Sequence, residues 1–154
     1  MNDLDTIFMR SLRSRMIHPS RMLFLIMLLL IACVPVEQSP PVDLALGQTV
    51  YEANCASCHG MQGEGQPNWR QPGQDGKLPA PPHDSTGHTW HHPDQMLLQM
   101  IAQRSGVPNS PMPAYEGELT QEEMEATLAY IKTFWDKRPR DFQEQITDQY
   151  EAQQ

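Results

Sequence analysis

Three residues carry the most specific chemistry in this chain: Cys55, Cys58 and His59, in the run Cys55-Ala56-Ser57-Cys58-His59. Two thiols at C-x-x-C spacing can form a redox disulfide, supply half of a zinc site, or add to the two vinyl groups of a porphyrin. A structural zinc site needs four ligands, and the one remaining cysteine, Cys33, is a lone residue far upstream. A thioredoxin-like disulfide belongs to a strand-then-helix context; here a helical pattern precedes the motif and a glycine-rich stretch follows it. The adjoining histidine favours the third use, because C-x-x-C-H is the attachment signature of c-type haem. Each thiol becomes a thioether, and the imidazole of the next residue stands under the iron.

An iron held by one histidine has an open face, and what fills it separates an electron carrier from a catalyst. Met112 is the candidate by context. It lies in Asn109-Ser110-Pro111-Met112-Pro113-Ala114-Tyr115, where the flanking prolines fix φ and bias their neighbours to extended backbone. A stiff, non-helical loop would then present the thioether. Met96, Met100 and Met124 fall on apolar helix faces and read as core filling, and Met61 is too near His59 to reach the opposite side of a porphyrin.

These ligands need elements to hold them. A helix is expected from Asp43, a good N-cap, with Leu46, Val50 and Asn54 recurring every four residues. Gly47 inside it costs about 1 kcal/mol relative to Ala, which points to close approach of another helix. That partner begins at Thr120: Thr120 and Glu123 form a capping box, Leu119 and Met124 a hydrophobic staple. Its stripe is Met124, Thr127, Leu128, Ile131 and Trp135. It is expected to run to about Arg138, stopped by Pro139, with Tyr130 or Phe134 laying a ring across Gly47. A third helix starts after His92, with Pro93 at its first position, an apolar face of Met96, Leu97, Met100 and Ile101, and Gly106 as its stop.

With these residues assembled, the chain resembles class I c-type cytochromes over about residues 43 to 138. The likeness rests on Val50-Tyr51-Glu52-Ala53-Asn54-Cys55-Ala56-Ser57-Cys58-His59-Gly60, on Ser110-Pro111-Met112-Pro113-Ala114-Tyr115 and on the Leu119-to-Trp135 helix. It implies an all-α cytochrome c fold, three main helices and long loops around one covalent haem c. It further implies Cys55 and Cys58 as thioether sites, His59 as proximal and Met112 as distal iron ligand, and a small residue at the crossing of the first and last helices, which suits Gly47. In the family a proline carbonyl accepts the proximal imidazole's N–H; Pro72, Pro79 and Pro81 are all placed to do so. The stretch from Gln62 to Asp84 is longer and richer in Pro and Gly than the smallest members need.

Four histidines, His83, His88, His91 and His92, crowd ten residues around Trp90. Imidazoles near methionines suit copper, and one of them is an alternative haem ligand on paper. The plainer reading is a loop packing Trp90 on the haem pocket.

The ends have their own character. Met22–Ala32 is an apolar run behind arginines, far short of the roughly 20 residues that span a bilayer, and fits a signal-peptide core; translation from Met9 or Met16 would give a more usual leader. It ends in Leu30-Ile31-Ala32-Cys33, which resembles the lipobox of bacterial lipoproteins and implies acylation of Cys33 as the first mature residue. The expected organisation is a signal peptide at 1–32, an extended tether at 33–42, a cytochrome c domain at 43–138, and a polar tail at 139–154 in which Phe142, Ile146 and Tyr150 suggest a further helix. The chain carries 11 Lys+Arg against 19 Asp+Glu, a formal −8. Setting aside the four arginines and two aspartates of the first 32 residues leaves 7 against 17, a formal −10. That balance argues against nucleic-acid binding. With aromatics at 7%, 14 prolines and 9 glycines, the protein's own core is thin and a prosthetic group is expected to complete it.

The expected function is therefore that of an exported, membrane-tethered monohaem cytochrome passing single electrons between redox proteins outside the cytoplasmic membrane, and not an enzyme. Peroxidase-like chemistry would follow only if Met112 is not a ligand. The alternatives are a haem-bearing subunit of an oxidase or dehydrogenase complex, and a copper-handling protein using His83, His88, His91 and His92.

Overall fold

The computed structural model describes residues 41–154 apart from Ser105 and Asn109; the expected leader, the Cys33 lipidation site and most of the tether lie outside the described residues. Among the described residues the chain is helical with no β-strand: α1 Leu44–Asn54, α2 Ala56–His59, α3 Asp94–Gln103, α4 Gln121–Lys132 and α5 Lys137–Glu151, with a 3-10 turn at Thr89–His91. No described helix is long and apolar enough to cross a membrane.

Local chemistry accounts for the helix starts. The Asp43 carboxylate accepts from the N–H groups of Ala45 and Leu46. At Thr120 both halves of the capping box are made, hydroxyl to the Glu123 N–H and Glu123 carboxylate to the Thr120 N–H. Pro93 is the N-cap of α3 and not its first residue, so the helix starts one place later than expected, and it ends at Gln103 with Arg104, not Gly106, beyond it as C-cap.

The core joins α1 to α4. Tyr51, Ala56, Leu97, Leu128, Ile131 and Trp135 form its buried centre, and Ile101, Tyr115 and Met124 a second cluster flanked by Leu119. Gly47 is where the two helices come closest: a Cβ there would lie 2.1 Å from the Ala126 carbonyl oxygen and 3.1 Å from Tyr130 Cβ. The partner at Gly47 is thus Ala126 backbone, and the Tyr130 ring instead packs on Tyr51 and Phe134.

The last helix departs from expectation. α4 ends at Lys132, six residues early, because three successive i→i+3 bonds (Thr133 to Tyr130, Phe134 to Ile131, Trp135 to Lys132) tighten the chain. The Trp135 indole then donates to the His83 carbonyl and the Asp136 N–H to Ser85 Oγ. A new helix starts at Lys137, and Pro139 falls in its first turn, where the missing N–H has no intrahelical partner to lose. The Phe142 stripe touches Trp90 and His91 by a ring edge but is not the most buried face of α5. Phe142 is 44% exposed, whereas Gln143 is 1% exposed and donates to the His92 carbonyl, Asp94 and Thr147. Asp94 also pairs with Lys132 at 2.6 Å, so one carboxylate joins α3, α4 and α5.

A mid-helix Gly→Ala change ordinarily stabilises a helix by about 1 kcal/mol. Gly47→Ala is expected to reverse that sign and destabilise the holoprotein by about 1–3 kcal/mol, since the new methyl meets backbone that cannot rotate away. Guanidinium titration of both proteins measures it, and a stabilised variant would contradict the α1–α4 contact.

Candidate functional site

The C-x-x-C-H segment occupies the kink between α1 and α2. The chain stays close to helical through Cys55 (φ −114°, ψ −39°), and the N–H groups of Cys58 and His59 both donate to the Cys55 carbonyl. Residues three and four apart on a helical turn share a face, which brings Cys55, Cys58 and His59 together. Both thiols are free, Cys55 half-buried and Cys58 exposed. Burial, with the neighbouring Cys58 adding to it, pushes the Cys55 thiol up to about 11.

His59 is buried, and its Nδ1 lies 2.9 Å from the Pro81 carbonyl oxygen. Of the three candidate prolines, the structure selects Pro81. A carbonyl only accepts, so Nδ1 carries the proton and Nε2 keeps its lone pair. Burial lowers the pKa of His59, while the Pro81 carbonyl acts in the opposite sense; the neutral, metal-ready form is favoured. The strap carrying Pro81 is tied back onto the motif: Gly65 donates to the His59 carbonyl, Gln66 to the Ala80 carbonyl, and His83 and Asp84 both donate to the Gly63 carbonyl. Gly65 has φ +67° and lies so close to the Pro81–Pro82 peptide that a side chain would meet it at 2.5 Å. The long Gln62–Asp84 stretch therefore closes over the side of the motif on which His59 lies.

Met112 sits half-buried in the loop between α3 and α4. Arg104 fixes that loop, donating Nε to the Met112 carbonyl and Nη2 to the Ser110 carbonyl, each at 3.2 Å. Tyr115 donates its hydroxyl to the carbonyl of Asn54, the residue before Cys55, at 2.8 Å. Burial raises the Tyr115 pKa, with Cys55 and Cys58 both contributing, so the methionine loop is moored beside both thiols. Arg104 gave no signal in the sequence; Tyr115 was visible only as part of the motif.

The four histidines do not converge on one point, although the His88 and His92 rings meet edge to face at 5.7 Å. His83 stacks on His59 with ring centroids 3.9 Å apart and planes 15° from parallel, which puts it on the proximal side and out of reach of the opposite face. His88 stacks on Trp69, and His91 packs against Trp90 and Phe142. Among the described residues no group of three or more His, Cys, Asp or Glu side chains is placed to hold a metal ion, so the copper reading has no geometric support there.

Comparison with known proteins decides the family. A family model described as Cytochrome c matches residues 44–135. The chain belongs to the cytochrome c family. It is also 67% identical over 24 residues to cytochrome c-554(547) of Halothiobacillus neapolitanus, a stretch covering 16% of this chain and 26% of that protein, so the match spans about a quarter of the relative. No solved structure matches the chain. Membership implies a covalently attached haem c with its iron, and the residues present fit that group. Besides the thiols and the metal-ready imidazole, the Trp90 indole N–H is buried without a partner among the described residues, packed like Cys55 against the main core cluster; such an orphan suits a carboxylate acceptor such as a porphyrin propionate. The matched span ends at Trp135, so α5 lies beyond it.

Tyr51 locks the motif from behind. It is fully buried and donates to the Gly60 carbonyl at 2.8 Å. Burial, before the nearby Cys55, Glu64 and Tyr130, raises its pKa. A folded pKa above the unfolded value of about 10 means the phenol's contribution is complete below that pH and is lost as pH rises beyond it. In this cytochrome Tyr51→Phe should cost about 1–3 kcal/mol at neutral pH, because the Gly60 carbonyl loses its donor, and the gap should shrink above about pH 10. Urea titrations of both proteins at neutral and alkaline pH test this; a gap independent of pH would contradict it.

Proposed function

We propose that this cytochrome carries single electrons between redox proteins on the outer side of the cytoplasmic membrane, held there by acyl chains on Cys33. Cys55 and Cys58 hold the porphyrin as thioethers, His59 is the proximal ligand and Met112 the distal one. The observation that carries the reading is the Nδ1–H of His59 committed to the Pro81 carbonyl at 2.9 Å, which leaves Nε2 free beside two thiols of the attachment signature. Tyr115 supports the assignment of Met112 by tying its loop to Asn54.

Bound haem supplies a one-electron iron couple. The protein's part is to hold that couple in one coordination. Pro81 makes the imidazole more basic and fixes its tautomer. The thioether of Met112 is a soft, neutral ligand, and His/Met pairs sit at higher potential than bis-histidine pairs. With His59 and Met112 both engaged by the iron, the chain would leave no place there for dioxygen or a substrate, and transfer would be outer-sphere. The acidic balance of residues 33–154 favours encounter with basic partner surfaces, in a salt-dependent way.

The ligand set is tested by the oxidised holoprotein's absorption spectrum. A weak charge-transfer band at its red edge marks sulfur on iron. Met112→Ala should abolish the band and tighten binding of cyanide or imidazole by at least ~10-fold, about 1.4 kcal/mol. An unaltered spectrum would remove Met112 from the iron, and high-spin wild-type protein would favour a peroxidase-like role.

The anchor is tested separately by intact mass of the protein from the membrane fraction. The expected species begins at Cys33 and carries more than one acyl chain, since a single chain gives only marginal attachment. A mature form that begins elsewhere or bears no lipid sinks the tether.

A further inference from the structure

We propose that His83 is a positioning residue for the haem: stacked on His59, its ring fixes the plane in which the proximal imidazole stands. The inference rests on His59 being the proximal ligand, and it concerns a side chain that neither the attachment signature nor the Pro81 contact involves.

The hydrogen bond from His59 to Pro81 leaves one freedom open. A carbonyl accepts over a broad angular range, so a single N–H···O contact holds the imidazole at one atom and still lets the ring rock about that point. The His83 ring closes this freedom, lying 3.9 Å away by centroid and 15° from parallel. At that separation the two rings are in van der Waals contact over their faces, and any large rotation of His59 would drive its edge into His83.

A wall is useful only if it is itself fixed, and His83 is held at every polar point of its backbone. Its N–H donates to the Gly63 carbonyl at 2.7 Å. Its carbonyl accepts from the buried Trp135 indole at 2.7 Å. The ring Nδ1 lies 2.9 Å from Thr89 Oγ1, and Tyr51 meets the ring edge-on. The neighbour that orients the proximal ligand is therefore clamped by the strap, by the end of the α4 segment and by the 3-10 turn together.

The consequence for the iron is electronic. The π-lobes of an axial imidazole overlap one of the two iron d orbitals perpendicular to the porphyrin plane more than the other. The ring's azimuth decides which, and by how much the two are split. A fixed azimuth gives a single, well-defined splitting; a rocking one averages it. Electron paramagnetic resonance g-values and the spread of haem methyl proton shifts in the oxidised protein report this splitting directly, independently of electron-transfer activity.

Two variants of the holoprotein separate the ring from its hydrogen bond. His83→Phe keeps a flat ring against His59 and loses the bond to Thr89. His83→Gln keeps an amide for Thr89 and loses the ring. The expected result is a near-native g-tensor and methyl-shift pattern for His83→Phe, with broadened, shifted g-values and a rearranged methyl pattern for His83→Gln. Circular dichroism and the Met112 charge-transfer band monitor the fold in both. Native spectra from both variants would overturn the proposal, as would equal changes in both or a change confined to His83→Phe. A wild-type spectrum without an axial imidazole would instead overturn the assignment of His59, so the two failures are distinguishable.

Discussion

A carbonyl group can accept a proton bond and cannot donate one, and the site depends on that asymmetry. Because Pro81 presents a carbonyl to Nδ1 of His59, the imidazole has one tautomer available in the folded chain, with its other nitrogen unprotonated. Without such a partner a buried imidazole exchanges between two tautomers, only one of which ligates through Nε2. Proline is well suited to the task. It has no N–H of its own to satisfy, and its fixed φ holds the strap extended, so the Ala80–His83 segment can run past the motif with its carbonyls free to accept. Second-shell partners of this kind alter metal affinity by about 10–100-fold when removed, more than most single hydrogen bonds contribute to stability.

The rest of the fold keeps that carbonyl in place. Gly63 and Gly65 let the strap approach the backbone after His59 more closely than any side chain would allow. Tyr51 grips the Gly60 carbonyl from inside the core, and the α1–α4 contact at Gly47 buries Tyr51. The chain of cause runs from a missing Cβ at position 47, through helix packing, to the orientation of a ring twelve residues later. α5 extends the same logic to the opposite end, where Gln143 secures His92 and Asp94 and so the start of α3.

The legible parts of this arrangement were those fixed by short-range chemistry. C-x-x-C-H, the Thr120 capping box, the Asp43 cap and the meaning of Gly47 all follow from residues within a turn or two of one another, and the all-α fold follows from them. Tertiary contacts were less accessible. Choosing Pro81 over Pro72 and Pro79 requires the path of the chain across the 22 positions from His59 to Pro81, which no local pattern encodes. The end of α4 was misplaced because Pro139 reads as a helix stop, whereas it sits inside the first turn of a new helix. The part played by Gln143 was not legible because an apolar stripe outranks a glutamine in any sequence pattern, yet its buried amide finds acceptors at His92, Asp94 and Thr147. The partners of the histidines were illegible for a related reason: of four imidazoles close in sequence, His88 and His92 meet each other, while His83 turns to His59 and His91 to Trp90.

The two sides of the site are held by different means. The proximal strap is secured along its length by backbone bonds to Gly63, His59 and Gln66. The loop carrying Met112 is secured at its flanks, by Tyr115 on one side and Arg104 on the other. Arg104 stands at φ +79°, ψ 159°, a region that L-residues avoid at a cost of about 1–3 kcal/mol. Glycine would adopt that conformation freely, but glycine has no guanidinium. The two bonds from Arg104 to the Ser110 and Met112 carbonyls are charge-assisted and act against the backbone cost, weakened by the exposure of the guanidinium. The strained residue is therefore best understood as the support of the methionine loop, because no other contact to the Met112 carbonyl is found among the described residues.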